Sequence, residues 1–339
     1  MFLPAKHELL GTAKYKNLKF HKINFNYLSF WRRHIWEQII FPLELKRNKI
    51  DILFTAKNAN ILFAPCRTVI SIRNMEPFLF NKSENDICLN ASLYFRRLIT
   101  LVSMIQADRI IVVSRGSQSF LLDNYYSFYK KSFLIYNGNP VDRNKICRIR
   151  QKRLDSFLLT ASKFVSYANQ KNLVLGYELL RAKHADAPSL WFAGGPHDVK
   201  YFKSVLRLVK EKNLQQHIRF LGLLPHNEVL RLYSQAEAFV FPSTLEACPH
   251  TLIEAMTFGL PIAAANYAPM PEICGSAAIY FDPKQPDEIA EALKHILFNR
   301  DLRASLKNAA RRRSREYDWD KTAKELVKVF LDLRKKKNM

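Results

Sequence analysis

Two glutamates, Glu246 and Glu254, are the residues whose type and spacing first suggest chemistry in this chain of 339 residues. They lie just after the apolar run 238–241, which Pro242 ends and which predicts a buried strand. Carboxylates accept hydrogen bonds from hydroxyl groups. Glu254 could therefore bind two hydroxyls of a ribose, and Glu246 could bind hydroxyls of a second sugar.

A helix is predicted to begin between the two glutamates. Pro249 is tolerated in a first helical turn, residues 251–256 favour a helix, and Gly259 with Pro261 ends it. The unpaired amides of its first turn would face the carboxyl ends of the strands, where ligands of open α/β sheets bind. An anion there gains about 0.3 to 1 kcal/mol from the helix dipole, in addition to direct N–H contacts. The segment thus predicts a site for a nucleotide sugar, whose diphosphate needs no metal at this point.

The elements around this segment alternate between strands and helices, as in doubly wound parallel sheets. The strands predicted in the second half are 157–161, 189–193, 218–220 and 238–241, and the helices are 172–180, 199–212 and 227–236. The strands predicted in the first half are 50–54, 68–72, 109–113 and 133–135. We therefore expect an α/β protein with two Rossmann-like sheets.

A charged run without aromatic residues, 141–152, follows the turn at Asn137 and Gly138 and is predicted to separate the two sheets. The chain thus divides into an amino-terminal domain at residues 1–145 and a second, ligand-binding domain at 146–318. Residues 319–339 contain a final helix with a basic tail.

The composition is that of a globular protein, with 48% hydrophobic and 24% charged residues. No window approaches the roughly 18 apolar residues of a membrane span, and no amino-terminal signal pattern is visible. The five cysteines are odd in number and form no CxxC pair, which argues against a disulfide framework and a zinc ribbon. We therefore expect a cytoplasmic protein.

The net charge of +23, from 53 Lys and Arg against 30 Asp and Glu, attracts polyanions. Residues 30–36 join basic groups to aromatic rings, as interfacial helices do, so an anionic membrane surface is one predicted partner. The protein would then be peripheral at the inner face of the plasma membrane. A specific nucleic-acid partner is not expected, because no helix-turn-helix, zinc-finger or RNP-type signature occurs. A simply solvated basic surface is the alternative.

The residues around the two glutamates resemble a known family. Phe241-Pro-Ser243 precedes Glu246, and Glu254-Ala-Met leads to Gly259 and Pro261. This pattern is similar to the donor site of family 4 retaining glycosyltransferases, which have the GT-B fold. The flanking segments 220–222, 229–233, 271–273, 277–283 and 317–323 resemble the same family. The resemblance covers about residues 150–330.

The resemblance implies a set of site residues. The implied catalytic residues are Glu246, Arg73 and Asn74. The implied donor-binding residues are Lys163, Gly194, Gly195, Ser243, His250, Thr251, Leu252 and Glu254. No metal or other cofactor is implied, and Asp318-Trp-Asp320, which lies in the closing segment, is interpreted as structural. In this arrangement the first domain holds the acceptor, the second holds the activated sugar, and the final helix crosses back onto the first domain.

Three residues depart from the family pattern. Lys163 stands where the family has an arginine, and Ala168 stands where it has a lysine. One charge-assisted contact to the donor diphosphate, worth roughly 1.5 to 3 kcal/mol, is therefore missing unless a neighbour such as Lys171 supplies it. Arg73 occupies the place where many relatives carry a histidine. A guanidinium is not a base at neutral pH, but it can neutralise phosphate or orient an acceptor hydroxyl.

The glycine-rich loop that usually opens the first domain is not recognisable, because no glycine occurs between Gly11 and Gly116. The first domain either lacks its opening βα unit or has a divergent loop in its place.

The expected function is that of a retaining glycosyltransferase. It would move a hexose, mannosyl-type by resemblance, from a nucleotide sugar to a hydroxyl of a lipid-linked glycan or a cell-surface polysaccharide such as lipopolysaccharide, without a metal. A degenerate GT-B binding or scaffold protein without turnover is the main alternative, favoured by Ala168 and by the unrecognised loop. A basic adaptor for membranes or nucleic acid and a nucleotide-sugar epimerase on the same fold are further alternatives.

Overall fold

The computed structural model describes residues 2–4, 21–23, 36–78, 91–142 and 155–335. Their strands form three sheets, and every pair of neighbouring strands is parallel. The first sheet pairs β1 (Phe2–Pro4) with β2 (His21–Ile23). The second has the order β3-β4-β5-β6, with strands Ile52–Thr55, Arg67–Ile72, Arg109–Val112 and Ser132–Leu134. The third has the order β12-β11-β10-β7-β8-β9, where β7 to β12 are Phe157–Ala161, Ser189–Ala193, Ile218–Gly222, Ala238–Phe241, Ile262–Ala265 and Ala278–Phe281.

Twelve α-helices accompany these strands in the described part of the chain. Helices α1 to α4 are Phe41–Arg47, Ala91–Gln106, Arg115–Asn124 and Tyr126–Tyr129. Helices α5 to α8 are Gln170–Lys183, Val199–Glu211, His226–Gln235 and His250–Thr257. Helices α9 to α12 are Met270–Cys274, Pro286–Phe298, Arg300–Ser314 and Trp319–Lys335. A π-helical turn, Trp36–Ile40, precedes α1.

The six-stranded sheet is the core of the second domain. All residues of β7, β10 and β11 are buried, as expected for parallel strands that are covered by helices on both faces. In the strand order, β7 lies between β10 and β8, so the connections that leave β7 and β10 diverge at their carboxyl ends. Such a switch point opens a crevice at the sheet edge, and the segments around Lys163 and Glu246 follow these two strands.

The four-stranded sheet supports the first domain. Its inner residues, such as Ile70 and Val112, form a core cluster that also includes Ala247 of the second domain, which is 4% exposed. Leu245 and Cys248 pack against the same cluster. The loop that carries Glu246 is therefore held against the core of the first domain, so the two domains meet at this loop.

The last helix, α12, returns to the first domain. Its Val329 and Leu333 are buried in one cluster with Val69 and Ile111 of the four-stranded sheet. At the start of the helix, a Cβ atom added to Gly138 would lie 2.4 Å from the backbone nitrogen of Trp319, so only glycine permits this close approach. Helix α12, which follows the second domain in the chain, thus packs against the four-stranded sheet of the first domain.

The prediction of an α/β protein with two parallel sheets is confirmed, and the strand bounds agree with the predicted ones to within two residues. Four strands were not predicted from the sequence: the short strands β1 and β2, and β11 and β12 at one edge of the six-stranded sheet. Most of the opening segment, the basic and aromatic residues 30–35 and the predicted break at residues 143–152 lie outside the described residues. Of the helices that the structure describes, none is both long and apolar enough to span a membrane.

Candidate active site

Glu246 lies in the loop between β10 and α8, at the carboxyl edge of the six-stranded sheet. Its Oε1 accepts a hydrogen bond of 2.9 Å from the hydroxyl of Ser243, a buried residue at the end of β10. Burial raises the pKa of Glu246 to about 7, although the Ser243 hydroxyl and the charge of Lys163 act in the opposite direction. The carboxyl group is therefore poised to exist in both protonation states near neutral pH.

Helix α8 directs its amino terminus into the same region. Pro249 is the N-cap residue, and its carbonyl accepts the amide of Leu252 at 3.2 Å. Within the described part of the chain, the amides of His250 and Thr251 have no hydrogen-bond acceptor. These two N–H groups and the positive end of the helix dipole can bind an anion such as a phosphate.

Two cationic side chains face this region from opposite domains. Lys163 follows β7, is exposed, and has its Nζ 5.5 Å from the centre of the Tyr167 ring. Arg73 follows β4 in the first domain and is half-buried. Burial lowers the pKa of Arg73, so its guanidinium would gain from an anionic neighbour. Burial, with Arg73 as a second cause, also lowers the pKa of His250, which favours the neutral imidazole.

These groups line one cavity of about 390 Å³ between the two domains. Of the residues predicted from the sequence, the structure brings Arg73, Lys163, Glu246, His250 and Thr251 together in its wall. Arg73 also lines a second cavity of about 400 Å³, which lies in the first domain and which Asn74 lines as well. We call these the donor-side cavity and the acceptor-side cavity.

The side chain of Asn74 forms a hydrogen bond with the backbone two residues further along the chain. Its Oδ1 accepts the amide of Glu76 at 2.9 Å, so it caps the short 3₁₀ turn Glu76–Phe78 that follows. Because the side-chain oxygen is engaged in this way, the structure gives no separate support for a catalytic role of Asn74.

Four other predicted residues lie near the donor-side cavity without lining it. Ser243 and Leu252 are buried beneath it, where Ser243 holds Glu246 in place. Gly194 and Gly195 follow β8, and the carbonyl of Gly195 accepts the amide of Phe164 at 3.0 Å. A Cβ atom on Gly194 would lie 1.9 Å from the carbonyl oxygen of Ser162. This glycine therefore allows the two loops to approach each other beside Lys163.

Glu254, the second glutamate of the motif, lies on the first turns of α8 and is 6% exposed. Its Oε1 is 2.8 Å from Nε2 of His226, the first residue of α7, whose side chain is 57% exposed. Glu254 does not line the donor-side cavity. A ribose bound at Glu254 would thus have to share the carboxylate with His226, a residue that the sequence analysis did not identify.

Ala168, which stands where a lysine was expected, is buried in the wall of the donor-side cavity. Lys171 does not line this cavity, and its Nζ lies 5.7 Å from the centre of the Tyr201 ring. In this conformation Lys171 does not replace the missing cation.

Other residues of the cavity were not predicted as site residues. Asn137 is 4% exposed, and its Oδ1 has no hydrogen-bond partner within the described residues. This buried acceptor at the cavity wall can receive a hydroxyl of a ligand. Burial raises the pKa of Cys248 to about 12, which keeps the thiol neutral and argues against a nucleophilic role. Asn137 follows no recognisable local motif, because the fold alone brings it to the cavity.

Glu76 belongs to the first domain and points towards Lys163 of the second. It forms an ion pair of 3.0 Å with Arg96. Burial raises the pKa of Glu76, but Arg96, Lys163 and Asn74 together outweigh this effect and bring it below the ordinary value. The Glu76 carboxylate is therefore charged and already bound to a cation.

Within the described segments, no group of three or more His, Cys, Asp or Glu side chains has the arrangement of a metal site. In Asp318-Trp-Asp320, the carboxylate of Asp318 accepts the amide of Asp320 at 2.7 Å, at the start of α12. This contact agrees with the structural interpretation of the two aspartates.

Comparison with known proteins assigns most of the second domain to one family. Residues 143–313, about half of the chain, match the family described as "Glycosyl transferases group 1". The serotype-specific mannosyltransferase WbdA of Escherichia coli is 23% identical over 271 residues, which cover 79% of this chain and 33% of the relative. The chain spans about a third of the length of the curated relatives of this kind.

Solved structures share the whole architecture. Sucrose-phosphate synthase of Thermosynechococcus elongatus has a TM-score of 0.72 at 17% identity, with 93% of this chain and 83% of that chain covered. HepE of Anabaena, solved in complex with UDP and glucose, has a TM-score of 0.67 at 15% identity, with 92% of this chain and 85% of that chain covered. At such identities the likeness concerns the fold, which is GT-B.

Proposed function

The chain belongs to the family of glycosyl transferases group 1, and from this premise we propose that it transfers a hexose from a nucleotide sugar to a hydroxyl of a glycan. The sequence resemblance to this family and the prediction of the GT-B fold are both confirmed. The observation that carries the proposal is the donor-side cavity, where Lys163, Arg73 and two helix amides surround Glu246.

In the proposed complex, the diphosphate of the donor lies at the amino terminus of α8. The amides of His250 and Thr251 donate to its oxygens, and Lys163 lies on the same side of the cavity. These groups supply the charge complement that the diphosphate needs, and we therefore propose no metal cofactor. The ribose hydroxyls are assigned to Glu254, which lies further along the same helix beside His226.

Glu246 is assigned to the transferred sugar. Its Oε1 is fixed by Ser243, which leaves Oε2 to accept a sugar hydroxyl, and Asn137 offers a second acceptor at the cavity wall. Asn137 is buried, and Glu246 is half-buried and held by Ser243, so their orientation is set before the sugar binds. Fixed polar groups of this kind act through positioning and charge stabilisation.

We propose that the reaction proceeds on one face of the sugar with retention of configuration. The bond between the anomeric carbon and the diphosphate breaks, the acceptor oxygen bonds to the same face, and the acceptor's proton passes to the leaving phosphate oxygen. A covalent route would need a free carboxylate nucleophile. Glu76, a carboxylate of the first domain whose pKa Lys163 helps to lower, does not line the donor-side cavity and is paired with Arg96 at 3.0 Å, which supports the direct route.

The transferred hexose is proposed to be of the mannosyl type, and the acceptor to be a growing cell-surface polysaccharide or lipid-linked glycan. The name of the relative WbdA, a serotype-specific mannosyltransferase, supports this choice. We further propose a cytoplasmic protein that binds peripherally to an anionic membrane surface. The net charge of +23 supports membrane attraction, as do the side chains of Leu43 and Phe63, which are 64% and 74% exposed.

The donor assignment is tested by equilibrium binding of UDP, GDP and ADP and of their glucose and mannose conjugates, each at low and high salt. We expect the nucleotides of one base to bind more tightly than the others. Their affinity should change little at high salt, because the contacts lie in a cavity. Glu254→Ala should abolish the preference for a ribose over a 2′,3′-dideoxyribose. Glu246→Gln should leave nucleotide affinity unchanged.

Catalysis is tested with the selected donor by assaying the release of free nucleoside diphosphate in the presence of a glycan extract. Glu246→Gln should lower turnover much more than donor affinity. Equal, salt-sensitive binding of all nucleotides would contradict the proposal and favour a basic scaffold. Selective binding without turnover for any donor would support the degenerate binding protein instead.

A further inference from the structure

The acceptor-side cavity has a volume of about 400 Å³, and Arg73 is the only described residue that it shares with the donor-side cavity. Its described lining comes from the first domain, from segments around β3, β4 and α2. Arg73 therefore stands at the junction of the two cavities. A group bound there would lie beside the place where the glycosidic bond forms under the proposed function.

One wall of this cavity is apolar. Phe95 and Ile99 lie on successive turns of α2, and Ala59 and Pro77 line the same cavity. The Phe95 side chain is 45% exposed, so its ring is available to the flat, C–H-bearing face of a sugar. Such a wall, with a few polar groups at one end, is typical of ligand-binding pockets.

The charged residues of the lining are three cations, Lys57, Arg73 and Arg96, and one carboxylate, Glu37. Lys57 pairs with Glu37 at 3.0 Å, and Arg96 pairs with Glu76 at 3.0 Å. Arg73 pairs with no carboxylate among the described residues, and the one hydrogen bond that its guanidinium donates there is from Nε to the Ser71 hydroxyl at 3.3 Å. One positive charge is thus left without a counter-ion at the junction.

The backbone holds Arg73 firmly in this position. Oδ1 of Asn58 accepts the amide of Arg73 at 2.9 Å and that of Asn74 at 3.2 Å, while Nδ2 of Asn58 donates to the Asn74 carbonyl at 2.6 Å. The turn after β4 is therefore fixed by one side chain, and the two terminal nitrogens of the guanidinium remain available. A planar guanidinium binds a carboxylate or phosphate through two parallel hydrogen bonds.

From these observations we propose that the acceptor is an acidic sugar, one that carries a carboxylate or phosphate group next to its reacting hydroxyl, and that Arg73 binds this group. The inference rests on the proposed function, because it takes the donor-side cavity to be occupied by the nucleotide sugar. The apolar side chains hold the ring of the acceptor, and the anionic group sets which hydroxyl faces the anomeric carbon of the donor sugar. Arg73 is then a specificity-determining residue for the acceptor.

The test is a binding titration of the full-length protein with three probes: methyl β-glucoside, methyl β-glucuronide and glucose 6-phosphate. Wild type should bind one or both acidic probes at least about 10-fold more tightly than the neutral one, as expected for a charge-assisted contact. Arg73→Gln should remove this preference, and Arg73→Lys should retain part of it. A preference for glucuronide identifies a carboxylate, and a preference for glucose 6-phosphate identifies a phosphate.

Arg67→Gln is the matched control, because Arg67 lies at the other end of the same strand and is exposed, where it pairs with Asp108 at 2.6 Å. This variant should keep the wild-type preference. Equal binding of all three probes, no binding of either acidic probe, or a preference that survives in Arg73→Gln would overturn the inference.

A second arm repeats the titration in the presence of the nucleoside diphosphate that the protein selects. Persistence of acidic-probe binding supports separate acceptor and donor sites. Loss of probe binding would assign Arg73 to the donor diphosphate and overturn the inference while the proposed function stands. Selective binding of acidic probes with no binding of any nucleotide would instead contradict the proposed function, and with it the acceptor role of the acidic sugar, while Arg73 would remain the residue that binds it.

Discussion

Glu272 of the second domain caps the helix that begins beside Gly116 of the first. Its Oε2 accepts the Gly116 amide at 3.1 Å, and its Oε1 accepts the Arg115 amide at 2.7 Å. The hydroxyl of Tyr136 also donates to Oε1. A Cβ atom on Gly116 would lie 2.9 Å from the Cβ atom of Ala268, so glycine permits this close approach. The carboxylate thereby links the two domains at the positive end of a helix dipole.

Replacement of Glu272 by alanine should lower the free energy of unfolding by about 2 to 4 kcal/mol, because three donors lose a charged acceptor. Urea unfolding measures the loss. Glu288→Ala is the matched control, since Glu288 accepts a single amide, that of Asp282 at 2.7 Å, within the second domain. We expect a cost of at most about 1 kcal/mol for the control, and similar costs for both variants would contradict an interdomain role of Glu272.

The raised pKa of Glu246 predicts a pH dependence of stability. A glutamate titrates near 4.3 in an unfolded chain, whereas Glu246 titrates at about 7 in the folded protein. Between these values the folded state binds more protons, so the contribution of Glu246 to the free energy of unfolding falls as pH rises from about 4.5 to 7. The total change is about 4 kcal/mol at most. Urea unfolding of wild type and Glu246→Gln across this range should show curves that diverge by this amount, and parallel curves would refute the shift.

Under the proposed function, the titration of the Glu246 carboxyl group should also appear in the pH–rate profile. If the carboxylate form of Glu246 orients the transferred sugar, kcat/KM should rise with pH through an apparent pKa of about 7. The Glu246→Gln variant should lack this rising limb and should be slower at every pH. A rising limb that is unchanged in the variant would assign the titration to another group.

Gly194 and Gly222 offer a paired test of the loop contacts beside Lys163. Both have positive φ, but a Cβ atom on Gly194 would lie 1.9 Å from the Ser162 carbonyl oxygen, whereas nothing lies within 4 Å of one on Gly222. Gly222→Ala should cost roughly 1 to 2 kcal/mol from backbone strain alone. Gly194→Ala should cost about 3 kcal/mol or more, because backbone must also move. Equal losses in urea unfolding would show that the two loops are not in contact.

Ala168 permits a gain-of-affinity test. Because Ala168 lines the donor-side cavity, Ala168→Lys should restore a cation near the diphosphate and tighten binding of the selected nucleoside diphosphate by about 10-fold or more. Ala168→Met is the control, since it adds a side chain of similar length without charge. Calorimetric titration measures both, and tighter binding in the methionine variant alone would argue for packing in place of charge.

Much of this architecture could be predicted from the sequence because its cause is local. The strands Phe157–Ala161 and Ser189–Ala193 have the predicted bounds, since continuous apolar runs between breakers are characteristic of parallel strands that are covered on both faces. The loop with Glu246 was likewise predicted from a strand, a proline and a following helix.

The contacts of the site could not be predicted, because they depend on tertiary structure. Asn137 reaches the cleft from a loop of the first domain that carries no motif, and the pairing of His226 with Glu254 joins two helices whose approach is set by packing. Asn74 caps the short 3₁₀ turn that follows β4, and this turn was not predicted from the sequence. The sequence thus identified residue types, whereas the fold determined which of them meet.

The return of helix α12 to the first domain has a consequence for biosynthesis. Val69 and Ile111 are buried with Val329 and Leu333, which leave the ribosome only after the entire second domain has been made. Domains usually fold in the order of synthesis, amino-terminal first. Here one apolar face of the four-stranded sheet stays uncovered until α12 has been made. The packing of the first domain is therefore completed only after the second domain has been synthesised.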